Sequence, residues 1–182
     1  MPDVAAFKGS ILFKTNDPSV LLVGGQEKGR SEGIYQLEVQ RDAQGHISGF
    51  SGAATLVADA PGNPAAPFDI YGLYSTMDYG PEGVLFYPTF DGAIGQIKAG
   101  SSKPSRFIVT SDLGIDGRAG GLVFVPAGFP GAGRLKLGGD RWLDTTVIAD
   151  GSGTFDILKP ARTIGVNYPS SMAYVFAGHS GF

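Results

Sequence analysis

Apolar and polar residues alternate most clearly in Tyr35-Gln36-Leu37-Glu38-Val39-Gln40. This is the period of a strand with one buried face and one wet face. Short β-rich runs recur at Ile11–Phe13, Val20–Val23, Val84–Tyr87, Phe107–Val109, Leu122–Val125 and Met172–Phe176, separated by turn-forming residues. The longest stretches free of both glycine and proline are the 11 residues Ile34–Gln44 and Asp140–Asp150. Long helices are therefore disfavoured, because an interior glycine costs about 1 kcal/mol and a proline about 3 kcal/mol relative to alanine. The pattern predicts an all-β chain, with Ala60–Ala66, which holds Pro61, Gly62 and Pro64, as a long connecting loop.

Parts of the chain echo one another. Leu21-Leu22-Val23-Gly24-Gly25 precedes a Tyr-led strand and the turn Asp42-Ala43-Gln44-Gly45, while Leu135-Lys136-Leu137-Gly138-Gly139 precedes a Trp-led strand and Asp150-Gly151-Ser152-Gly153. A second echo links Pro81–Pro88 with Gly120–Pro126 and with Pro169–Val175, each a turn of small residues entering an apolar strand. Units of several short strands, written more than once, suit small sheets stacked around an axis, since one sheet cannot bury both of its faces alone. The expected architecture is propeller-like, with about three blade-like units at 9–60, 67–115 and 118–166 and a partial unit at 167–182, in a single β-repeat domain. A β-sandwich with glycine-rich turns is the alternative. The partial unit would leave an open sheet edge that needs a partner strand. A homodimer completing a six-bladed ring would supply one.

Gly80-Pro81-Glu82-Gly83-Val84-Leu85-Phe86 resembles blade openings in six-bladed propellers of the lactonase, strictosidine-synthase and NHL-like group. The segments Phe13–Gly25, Phe124–Gly133 and Asp150–Asp156 resemble parts of bacterial exported propeller-like proteins, some of which carry a PEP-CTERM sorting tail. That resemblance implies an extracellular or periplasmic location. Against it, Met1–Ser19 lacks the basic start and continuous apolar segment of a secretory signal.

Composition narrows the function. Among 182 residues, 14 Lys and Arg against 17 Asp and Glu give a net charge of −3, with no global field for recruiting nucleic acid. The small cationic group Arg134, Lys136 and Arg141 is diluted by Asp140 and Asp144. No apolar run approaches the roughly 20 residues of a membrane-spanning helix. Cysteine is absent, which removes thiol chemistry and thiolate metal sites.

The remaining chemistry is sparse. His46 sits beside a predicted hairpin turn, and Gly178-His179-Ser180-Gly181-Phe182 lacks the last glycine of a nucleophile elbow. Hard cations such as Ca2+ take carboxylate and amide oxygens, which a propeller axis gathers from different blades. The Pro-Glu-Gly at Glu82 resembles the metal-ligand glutamate at some lactonase-like blade openings, with Asn16, Asp78 and Asn167 as companion candidates. Trp142, Tyr71, Tyr74, Tyr79 and Tyr87 are candidates for a stacking platform, against the simpler role of packing between blades. Two function classes follow: a non-enzymatic binding or structural module for a glycan or protein ligand, with no resident cofactor, and a metal-assisted lactonase or esterase-type hydrolase.

Overall fold

The computed structural model describes residues 10–25, 33–62, 76–80, 83–89, 92–113, 119–129, 132–139, 142–149 and 155–159, the last two segments as backbone only. These residues form three four-stranded antiparallel sheets, each of strands consecutive in the chain. Sheet 1 holds β1 (Ile11–Lys14), β2 (Asp17–Gly25), β3 (Gly33–Arg41) and β4 (Ile47–Asp59). Sheet 2 holds β5 (Asp78–Tyr79), β6 (Leu85–Pro88), β7 (Ala93–Ile97) and β8 (Arg106–Val109). Sheet 3 holds β9 (Ala119–Phe124), β10 (Leu135–Gly139), β11 (Trp142–Ala149) and β12 (Phe155–Lys159). The described residues are thus mostly β, and none of these sheets closes on itself. The segment Met172–Phe176 and the unit 167–182 lie outside the described residues.

Local chemistry explains the turns. Thr15-Asn16 joins β1 to β2, with Asn16 at φ 63° in the left-handed region that asparagine tolerates better than most side chains. Asp42 builds the β3–β4 turn: its Oδ1 accepts from the Gln44 and His46 amides at 3.0 and 2.8 Å, while Gly45 sits at φ 87°.

The LLVGG and LKLGG echo falls on equivalent strands, β2 and β10, each the second of its sheet. The other echo does not. Pro81–Pro88 enters β6, a second strand, whereas Gly120–Pro126 carries β9, a first strand. A turn leading into an apolar run suits either position, so the likeness there reports local chemistry and not register.

Sheet 2 is the middle layer. Every residue of β6 and β7 is buried, so the alternation expected of a one-sided strand is absent. Leu85, Tyr87 and Ile97 pack with Val20, Leu22, Ile34 and Ala58 of sheet 1. On the opposite face Phe86 meets Phe124 of sheet 3 edge-on, with ring centroids 5.0 Å apart. Gly95 lies under the Tyr87 ring, where a Cβ would collide with it. That close approach lets the ring reach Phe107 and donate its hydroxyl to the Pro61 carbonyl at 3.1 Å.

The same stacking revises the reading of β3. Its polar–apolar alternation holds at Leu37–Gln40, but Ile34, on the face expected to be wet, is 1% exposed because sheet 2 covers that end. The face of sheet 1 turned away from sheet 2 carries a second cluster, Leu21, Val23 and Leu37, with Val39 and Ala54 against it. Around it stand exposed Ile11, Phe13, Ile47, Phe50 and Leu56. Arg41 covers part of Phe13 from 5.5 Å.

Candidate functional site

The sheets meet at their first strands, and side chains join them there. Within sheet 3 the Val125 amide donates toward β10, to the Arg134 carbonyl. The Leu122 and Phe124 amides therefore point the other way, off the open edge of β9. Thr76 Oγ1 accepts from Leu122 N and Asp78 Oδ2 accepts from Phe124 N, both at 2.7 Å. On β5, Gly80 N donates inward to the Val84 carbonyl, leaving the Met77 and Tyr79 amides on the outer edge. Ser10 Oγ accepts from Met77 N at 2.6 Å, and Asp78 Oδ1 accepts from Tyr79 N at 2.8 Å. These are edges that would otherwise template another strand. Asp78 satisfies one donor of its own strand and one of the next sheet.

Burial around Asp78 raises the pKa of its carboxyl, and the Phe124 and Tyr79 amides pull it back down. Burial likewise raises that of Tyr79, opposed by hydrogen bonds from Thr15 in the β1–β2 turn. A cavity lies on each side of β5. One, of about 270 Å³, opens between sheets 1 and 2 and has Tyr79, Leu22, Leu85 and Ile97 in its wall. The other, of about 770 Å³, opens between sheets 2 and 3 beside Asp78, Tyr79, Gly80, Phe124 and Pro126.

The sequence candidates separate accordingly. Asp78 and Tyr79 come together at this junction, and Asn16 is exposed in the turn adjoining Thr15. Glu82, Asn167, Tyr71, Tyr74, His179, Ser180 and Arg141 lie outside the described residues. Trp142 opens β11 opposite Gly139, as backbone only. His46 is an exposed turn residue with Nδ1 3.2 Å from Asp42 Oδ2. Among the described residues no three His, Cys, Asp or Glu side chains gather where they could share a metal ion. Sequence reasoning missed Ser10 and Thr76. Small hydroxyls that accept from an edge amide carry no motif, and only their position beside a short first strand would have marked them. Comparison with family models, curated proteins and solved structures finds no match.

Proposed function

We propose that the chain is a propeller-like, non-enzymatic binding module, with three blade-like sheets per chain and a second copy completing a six-bladed ring. The carrying observation is the repeated step between sheets. Sheet 1 turns one face to sheet 2, sheet 2 turns its other face to sheet 3, and at both steps a side chain at or next to one first strand accepts from an amide at or next to the other. Radial stacking needs that relation. It also leaves Ile11, Phe13, Ile47, Phe50 and Leu56 exposed around the buried cluster on the far face of sheet 1, which fits the next blade of a partner copy. The clefts beside β5 are where such a scaffold would present ligand contacts, with Tyr79 in the wall of both.

Sedimentation velocity tests the ring. The wild type should run as a dimer at micromolar concentration. Phe50→Glu and Leu56→Glu, placed on side chains 41% and 47% exposed, should give folded monomers with unchanged far-ultraviolet circular dichroism. A compact wild-type monomer contradicts the ring. The hydrolase alternative is separated by calcium titration with lactone and arylester assays on the wild type and Glu82→Ala: cation-dependent turnover lost in the variant would replace the binding reading.

A further inference from the structure

We propose that the cavity between sheets 1 and 2 binds a small apolar carboxylate, its hydrocarbon part on the sheet faces and its anionic head at Lys14 and Lys98. The inference rests on the reading of the chain as a binding module and names the ligand class of one of its clefts. The floor is made by Leu22, Ile34, Leu85 and Ile97, each at most 6% exposed to solvent. Lys14, at the end of β1, and Lys98, just after β7, contribute the charge to the lining, and among the described residues no carboxylate lines the cavity with them. Among the described residues neither lysine is held in an ion pair. The nearest acid to Lys14 by register is Asp17, whose carboxylate is hydrogen-bonded by Ser19 and feels the Lys14 charge without forming an ion pair with it.

An apolar floor with cations at its rim favours a molecule that is oily at one end and negative at the other. Lysine suits this task as a mobile point charge. A volume of about 270 Å³ lies just below the roughly 300–1,000 Å³ typical of ligand pockets. It admits one ring or a short acyl chain and excludes an oligosaccharide.

The test titrates sodium octanoate, 1-octanol and octylammonium into the wild-type chain, followed by carbon–proton correlation spectra of the methyl groups. Octanoate should shift Leu22, Ile34, Leu85 and Ile97 saturably, with octanol about tenfold weaker and octylammonium without effect. Lys14→Gln combined with Lys98→Gln should weaken octanoate about tenfold and leave octanol unchanged. Both lysines are exposed, so the pair of substitutions leaves the core intact. Equal binding of the three probes, or octanoate binding indifferent to the double substitution, overturns the proposal. A wild type that sediments as the dimer yet shows no saturable shift overturns the cavity site alone, whereas a monomer with saturable octanoate shifts supports the site and contradicts the ring.

Discussion

Tyr87→Ala should lower the unfolding free energy by about 4 kcal/mol, within the range for deleting a buried aromatic ring, while Tyr87→Phe should lower it by only about 1 kcal/mol. The difference follows from what each change removes. Tyr87 is fully buried, stands on Gly95, meets Phe107 edge-on and joins the cluster shared by sheets 1 and 2. Alanine deletes that packing and leaves a cavity between the layers. Phenylalanine keeps the ring and loses the hydrogen bond to the Pro61 carbonyl. Domains are stable by about 5–15 kcal/mol in all, so the alanine variant should melt far earlier. Urea unfolding read as a shift in midpoint at constant slope checks both values. A Tyr87→Ala cost below about 1 kcal/mol would mean that the ring is not clamped between sheets.

Asp78→Ala should cost about 3 kcal/mol, because it strands two edge amides, those of Tyr79 and Phe124, each worth about 1–3 kcal/mol when left without an acceptor. Asp78→Asn keeps one acceptor and should cost less. It also removes the titration, and the sign of that effect is set by the raised carboxyl pKa. Folding disfavours the charged form, so the stability contributed by this group is fully present below the unfolded value of 3.8 and is lost as pH rises through the folded value. Wild type minus Asp78→Asn should therefore grow as pH falls from neutrality toward 3.8. Denaturation midpoints measured across that interval test the slope. A difference that shrinks on acidification would show that the charged carboxylate, not its neutral form, is favoured at the junction.

What could be read from residues alone was mostly local. The alternation at Leu37–Gln40, the Asp42–Gly45 turn and the paired second strands at Leu21–Gly25 and Leu135–Gly139 were visible because each depends on neighbours a few positions away. β4 was not, because Ser48-Gly49 and Ser51-Gly52 interrupt its pattern and its pairing with β3 slips at three places, with Gly52 at φ 71°. β7 reads Ala-Ile-Gly-Gln-Ile, where a glycine needed under Tyr87 looks like a strand breaker. In the sequence Asp78 is a candidate cation ligand; at the junction its oxygen atoms accept hydrogen bonds. Their partners, however, are amides 1 and 46 residues away, and the longer separation is visible only once the sheets are stacked.

The most direct test of that stacking is a nuclear Overhauser spectrum of the wild-type chain. Cross-peaks are expected from the Phe86 ring to the Phe124 ring and, in the same sample, from the Tyr87 ring to the Leu22 and Ile34 methyls, with sheet 2 between its two neighbours. Cross-peaks joining sheet 1 directly to Leu122 and Phe124 of sheet 3, with Phe86 and Tyr87 free of both, would contradict it.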